Sequence, residues 1–218
     1  MLHLLVSLVL IALAAAAGWF VMLKLRAKRY ERLAFLAKSG NVDEFNACLA
    51  TNMSRALISP YAKGRLRLML AGSKGSKNEA REAVNELMKL NLTGPQRLAV
   101  ATDAFASLAS MEDVKGCSRL LREIEGLASE ETCERYRCYF DTVMRGLGIH
   151  EGELKKRLSR LDGTPARRTR GHVEYLLAKA YFANGRTDEA RGMRLRAAND
   201  LSVSEEQLEG AIDVAACL

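Results

Sequence analysis

The apolar stretch at the start of the chain constrains its structure more than any other feature. Residues 2–23 read LHLLVSLVLIALAAAAGWFVML, in which only His3, Ser7 and the indole of Trp19 are polar. A helix of this length covers about 33 Å, which is enough to cross the hydrocarbon core of a bilayer. We therefore predict that residues 1–24 form a single-pass transmembrane anchor.

Two other interpretations fit part of this stretch. A cleaved signal peptide would have basic residues before the apolar run and small residues at its end. The alanines at 14–17 supply small residues, but no Lys or Arg precedes them and residues 19–23 continue the apolar run. A buried core helix is the second alternative. The uncleaved anchor accounts for more of the pattern than either.

The charges after the apolar stretch predict its orientation. Basic flanking residues stay on the cytoplasmic side of a membrane, and none precedes the stretch. The predicted topology is N-terminus outside, with residues 25–218 cytoplasmic at the cell inner (plasma) membrane. The basic residues of this flank are Lys24, Arg26, Lys28, Arg29 and Arg32. They are typical of a stop-transfer flank. Each would also contribute about 1 kcal/mol to the free energy of binding to anionic headgroups.

Composition predicts helices in the rest of the chain. There are only three prolines and six phenylalanines, and Ala, Leu, Glu, Lys and Arg dominate. The five cysteines are irregularly spaced, unlike the disulfide framework of a secreted domain. Reduced thiols agree with a cytoplasmic location. The predicted fold class is all-α.

An internal repeat is clearest near the C-terminus, in LLAKAYFANGRTDEARGMRLRAAND. Small residues and one aromatic residue recur there at fixed places: Ala178, Tyr181, Gly185, Ala190 and Ala197. We expect Gly185 to end one helix in a left-handed conformation and Thr187 to cap the next.

This spacing resembles the tetratricopeptide repeat, in which small residues let two antiparallel helices approach closely. Similar turns occur upstream in GNVDEF, GSKNEA, SMEDV and GIHEGEL, about 35 to 38 residues apart. The resemblance implies that residues 25–218 form a right-handed solenoid of five helical hairpins. Their predicted bounds are 25–52, 58–91, 94–126, 130–161 and 166–200. A capping helix from Ser204 to about Cys217 is expected to follow, starting with a Ser204–Gln207 capping box.

Two of these units depart from the pattern. The third has Ser110 or Ala109 in place of the turn glycine, and the fourth has Asp141 or Thr142 where a small residue belongs. A capping threonine and an early proline, Thr93 and Pro95, nevertheless mark the start of the third unit.

Residues with catalytic or metal-binding potential do not form a recognisable motif. AGSKGSK lacks the spacing of a phosphate-binding loop, and no second ligand accompanies His3, His150 or His172. We therefore predict no enzymatic activity, no cofactor and no metal site.

The resemblance implies a protein-binding groove lined by the first helix of each hairpin. Carried over to this sequence, the groove residues are His172, Tyr175, Lys179 and Phe182 in the last unit and Gln96, Ala99 and Asp103 in the third. The expected function is a membrane-anchored adaptor or scaffold that recruits protein partners, with envelope assembly or quality control as candidate settings.

A peripheral module that binds anionic lipid or acidic ligands is the alternative function. Its contacts would be the basic flank and a second basic stretch: Lys155, Lys156, Arg157, Arg160, Arg167, Arg168 and Arg170. A solvated helix face is the simpler interpretation of that stretch. Nucleic acid is disfavoured because the stretch has no aromatic residue for base stacking. Ala14 and Gly18 lie four apart, which would let two anchors pack together in a homo-oligomer.

Overall fold

The computed structural model describes the backbone of residues 2–218 and the side chains of residue 10 and residues 13–218. Throughout this range the chain is helical, without a strand. The predicted all-α class is confirmed. The chain divides into two compact units, Met1–Asn91 and Leu92–Leu218, which are described separately.

The first helix, α1, runs without interruption over Leu2–Lys38. The side chains at 1–9, 11 and 12, half of the predicted anchor, lie outside the described residues. In the described part of the chain, no helix is both long and apolar enough to cross a membrane. The described side chains of α1 are exposed as far as residue 28, including Trp19 at 65% and Phe20 at 57%.

Four further helices complete the first unit: α2 (Val42–Ala50), α3 (Asn52–Leu57), α4 (Pro60–Ser73) and α5 (Lys77–Met88). Helix α1 packs on α2 and α4, and α4 packs on α5. The core of this unit consists of Leu33, Leu36, Ala37, Phe45, Ile58, Leu66 and Leu70. The turns after α1 and α4 use Gly40 and Gly75 at φ 69° and 65°, a conformation that favours glycine.

Arg29 joins α1 to the start of α3. Its Nε lies 2.7 Å from the Ser54 hydroxyl, and an Nη donates to the Thr51 hydroxyl at 2.5 Å and to the Cys48 carbonyl at 2.9 Å. Ser54 is fully buried. Arg29 was predicted to contact an anionic surface, but its guanidinium binds this turn instead.

The second unit begins with two regular helices, α6 (Gly94–Ser110) and α7 (Val114–Glu125), which pack as a pair. The predicted capping residues of α6 are confirmed. The Thr93 hydroxyl accepts from the Gln96 amide at 3.4 Å, and Gln96 Oε1 accepts from the Thr93 amide at 3.1 Å.

The fourth predicted hairpin differs from the expectation. Its first helix, α8 (Glu130–Tyr139), passes into a π-helix at Phe140–Met144, and α9 (Glu151–Leu161) packs on the next helix rather than on α8. The interruption contains Asp141 and Thr142, the two residues that depart from the repeat pattern. Asp141 bonds Arg145 and His150, each at 2.9 Å, while the Thr142 hydroxyl is buried without a partner. Neither fills the place of a small residue.

The last hairpin is the most regular pair, α10 (Arg167–Ala183) and α11 (Thr187–Leu201). Gly185 adopts φ 74° between them, as predicted. Thr187 does not cap α11. It is the first residue of that helix, and Arg186 occupies the capping position without a side-chain hydrogen bond.

The C-terminal segment, residues 203–218, is named the strap here. The single helix predicted for it is wrong, because it contains two four-residue helices, α12 (Leu208–Ala211) and α13 (Val214–Cys217). The predicted Ser204–Gln207 capping box does form, at 3.3 and 3.4 Å. The chain becomes extended at Ile212, and Asp213 then caps α13. Gly210 and the β-branched Ile212 are poor helix formers, which accounts for the break.

Candidate protein-binding site

One face of α10 carries three of the predicted groove residues. Tyr175, Lys179 and Phe182 are spaced four and three residues apart, so they follow one another along the same side of the helix. Phe182 is 69% exposed, whereas Tyr175 is 4% exposed. The Lys179 ammonium lies 5.3 Å from the centroid of the Tyr175 ring.

Two cavities meet at Tyr175 and Lys179. The smaller measures about 330 Å³, and its lining is Tyr175, Ala178, Lys179, Phe182, Ala190 and Arg194. The larger measures about 520 Å³; in addition to Tyr175 and Lys179, its walls include Tyr139, Val143, Met144, Glu209, Ile212 and Val214. Together these two cavities are called the α10 groove. The smaller cavity, which is apolar with a few polar groups at its edge, is of the kind that is typical of binding sites.

The π-helix contributes to the larger cavity. Its residues Val143 and Met144 form part of the cavity wall. Neither was among the groove residues predicted from the sequence. π-Helical turns often occur at functional sites, because the extra residue redirects the side chains that follow. The only sequence signal was the misfit of Asp141 and Thr142 with the repeat.

A carboxylate of the strap lies in this groove. Glu209 accepts hydrogen bonds from the Tyr175 hydroxyl and, at 2.8 Å, from Arg194, and its Oε1 lies 3.1 Å from the Lys179 ammonium. Partial burial raises the pKa of Glu209, but the three donors outweigh burial, so the net pKa is lowered. Burial, followed by the bond to Glu209, raises the pKa of Tyr175. Glu209 is therefore an anion held by a neutral phenol and two cations.

His172 was predicted to line the groove, but it is fully buried. Its Nδ1 lies 2.7 Å from the Arg168 carbonyl, and its Nε2 accepts from the Asp213 amide at 3.2 Å. Both ring nitrogens are thus used within the chain. His172 fixes the strap to α10 and has no surface left for a partner.

The three residues predicted on α6 are not brought to the α10 groove. Gln96 is exposed and caps its own helix, Ala99 is half-buried and Asp103 is exposed. None of them lines either cavity. The structure therefore concentrates the candidate site on α10, α11 and the strap.

The second basic stretch is largely neutralised by nearby acids. Lys155 pairs with Glu151 at 2.6 Å, and Lys156 lies 3.7 Å from Glu153. Asp200 binds both Arg167, at 3.1 Å, and Arg170, at 2.5 Å.

Three arginines of this stretch have other surroundings. Arg157 is half-buried and donates to the Cys217 carbonyl at 3.1 Å, so it belongs to the strap contacts. Arg160 and Arg168 are exposed. The stretch therefore presents far less free positive charge than its sequence predicted.

The basic flank of α1 is exposed at Lys24, Arg26, Lys28 and Arg32. A cavity of about 570 Å³ in the first unit lies beside it, with Arg26 and Arg55 at its edge. Its apolar lining includes Tyr30, Leu57 and Ile58. Arg55 was not predicted from the sequence, because it lies far from the flank along the chain.

The cysteines have the character of core residues. Four of the five are buried, and burial raises the pKa of the Cys117 thiol to about 12 and that of Cys138 to about 11. These thiols are protonated at neutral pH. Over the residues that the structure describes, no cluster of His, Cys, Asp or Glu could hold a metal ion.

Comparison with protein-family models, with curated proteins and with solved structures gave no match. The function is therefore inferred from the groove and the sequence.

Proposed function

We propose that this chain is a membrane-anchored adaptor whose tetratricopeptide-like repeats, residues 25–218, bind a protein segment in the α10 groove. The apolar run at 2–23 and the cations after it support the anchor and a cytoplasmic repeat domain. The uninterrupted α1 supports a direct connection, without a linker, between the anchor and the first repeat. A reporter fused to the C-terminus that is active only outside the cytoplasm would contradict this orientation.

The single observation that carries the proposal is the exposure of Phe182 beside the smaller cavity. Phe182 is 69% exposed next to this cavity, which is largely apolar and has Lys179 and Arg194 at its edge. Aromatic residues next to a pocket are the usual anchors of protein interfaces. The expected partner segment places an apolar side chain in the cavity and a carboxylate near the two cations.

Affinity purification from detergent-solubilised membranes tests this function. Phe182→Ala and Lys179→Glu should each remove the same bound proteins that the unmodified chain retains. Leu195→Ala is the matched control, because Leu195 is 50% exposed on α11 and lines neither cavity. Recovery of the same proteins with all three variants would contradict the proposal.

Contact with anionic lipid is the second candidate function, and the cavity beside α1 favours it. Neither Arg26 nor Arg55 has an acidic partner among the described residues, and both border an apolar floor. Arg26 also follows the predicted anchor closely, at the level of the headgroups.

Native mass spectrometry of the purified full chain tests the lipid contact. Arg26→Glu with Arg55→Glu should reduce the number of co-purified anionic lipids. Lys89→Glu with Lys115→Glu is the matched control, because both lysines are exposed and lie outside the two basic stretches, and it should leave that number unchanged. Equal lipid retention by both double variants would remove this second candidate.

A further inference from the structure

The strap lies along the larger cavity of the α10 groove, whereas no strap residue lines the smaller cavity beside Phe182. Glu209 contacts Tyr175, Lys179 and Arg194, and Ile212 and Val214 form part of the wall of the larger cavity. The site therefore already holds a short apolar and acidic segment from its own chain.

The three groups that hold Glu209 belong to the hairpin and not to the strap. Tyr175 and Lys179 lie on α10 and Arg194 on α11, so the paired helices present two cations and a phenol whatever occupies the groove. Without a carboxylate between them, the two cations would repel each other. The hairpin therefore favours an acidic occupant, and the strap supplies Glu209 to both cations and Glu205 to Arg194, at 3.6 Å.

The strap is held by two buried side chains of its own and by hydrogen bonds to His172 and Arg157. From residue 203 onward, only Leu208 and Cys217 are buried. Its two helices have four residues each, too short to be stable without packing. The Glu209 side chain is 48% exposed. Segments with few buried apolar contacts and exposed ion pairs open at low free-energy cost.

We propose that the strap is an intramolecular ligand of the α10 groove, which a partner segment of the same chemistry displaces. That segment has a carboxylate followed three and five residues later by β-branched apolar residues, as Glu209, Ile212 and Val214 are arranged in the strap. The closed strap lowers the apparent affinity for the partner in proportion to the small fraction of open molecules. This inference rests on the proposed function, since it assigns the partner class of the same groove.

The probe for this inference is a labelled peptide with the sequence of residues 202–218, SVSEEQLEGAIDVAACL. It is added to the purified full chain carrying Glu209→Lys. This substitution places a third cation beside Lys179 and Arg194 and so releases the strap. We expect this variant to bind the peptide at least about tenfold more tightly than the unmodified chain, since its groove is open. Glu206→Lys is the matched control: Glu206 is an exposed strap residue with the same charge change, and this variant should bind like the unmodified chain.

Hydrogen exchange separates release of the strap from loss of the fold. In the Glu209→Lys variant, amides of residues 208–217 should lose protection while those of α10 and α11 keep theirs. Lys179→Glu should also release the strap but bind no peptide, because the groove then lacks one of the two cations that hold the carboxylate. Two results in the Glu209→Lys variant would overturn the inference: full protection of the strap, or an open strap that is not accompanied by peptide binding.

The two proposals fail in different ways. If the peptide binds the open groove while the cellular partners do not depend on Phe182, the strap inference stands and the proposed function falls. If the partners depend on Phe182 while the strap stays closed in the Glu209→Lys variant, the proposed function stands and the strap is a permanent cap.

Discussion

The ammonium of Lys179 on α10 lies 3.1 Å from the carboxylate of Glu209 in the strap. Lys179 was predicted to face a partner, and in the structure it faces the strap. The same cation therefore stabilises the closed strap and would bind an incoming carboxylate. Partner binding and strap closure compete for one charge.

Alkylation of Cys217 should report on the strap. Cys217 is fully buried in α13, the last helix of the strap, and burial raises the pKa of its thiol to about 12. Because thiolate is the reactive form, the thiol should react with iodoacetamide at pH 8 markedly faster in the Glu209→Lys variant. Cys117, buried between α6 and the start of α7, is the internal control and should react at an unchanged slow rate.

Glu174 should make the α10–α11 pair less stable at neutral pH than at acid pH. It is 5% exposed, one of its oxygens has no hydrogen-bond partner, and burial, then the Asp200 charge, raises its pKa to about 7. Arg170 and Arg196 lower the pKa, and Asp162 raises it slightly.

The sign of the effect follows from proton binding. Between pH 4.5 and about 7 the folded carboxyl keeps a proton that the unfolded one has released, so stability falls as pH rises through that window. Glu174→Gln should flatten this slope and stabilise the pair by about 1–3 kcal/mol at pH 8. Hydrogen exchange of α10 measures it; Glu206→Gln, at an exposed position, should retain the slope.

Arg29→Lys should destabilise the first unit by about 1–2 kcal/mol. Lysine cannot reproduce the contacts that the guanidinium makes with Ser54, Thr51 and the Cys48 carbonyl. Hydrogen exchange of α3 and α4 measures the loss. Arg32→Lys, at an exposed position three residues further along α1, should have no effect. Equal protection in both variants would mean that Arg29 does not hold this turn.

Gly148→Ala should destabilise the second unit by about 1–3 kcal/mol. A Cβ at this position would lie 2.7 Å from the Ala180 carbonyl oxygen, a backbone atom of α10 that cannot move freely. Thermal unfolding of the full chain measures the loss. Gly152→Ala is the control, because nothing lies near its added Cβ and alanine favours the helix.

Much of the helical framework could be predicted from local signals. Gly185 marked the turn between α10 and α11, and Thr93 with Pro95 marked the start of α6, because turns and caps depend on residues close together in sequence.

The site could be predicted only in part, because its remaining features depend on contacts between distant residues. The resemblance to the tetratricopeptide repeat predicted that Tyr175, Lys179 and Phe182 line a groove. It could not show that Glu209 would contact Tyr175 and Lys179. Nor could it show that His172, which was predicted to line the groove, would accept a hydrogen bond from the Asp213 amide. The π-helix at 140–144 was similarly hidden, since the sequence signalled a misfit at 141 and 142 without showing its form.

Site-specific photocrosslinking in cells tests the central claim, protein binding in the α10 groove, most directly. A photoreactive phenylalanine analogue replaces Phe182 in one variant and Leu195 in the other, and the adducts are resolved by mass. The account predicts a discrete protein adduct at position 182 that Lys179→Glu removes, and none at position 195. Adducts of equal yield at both positions, or an adduct at 182 that Lys179→Glu leaves unchanged, would contradict it.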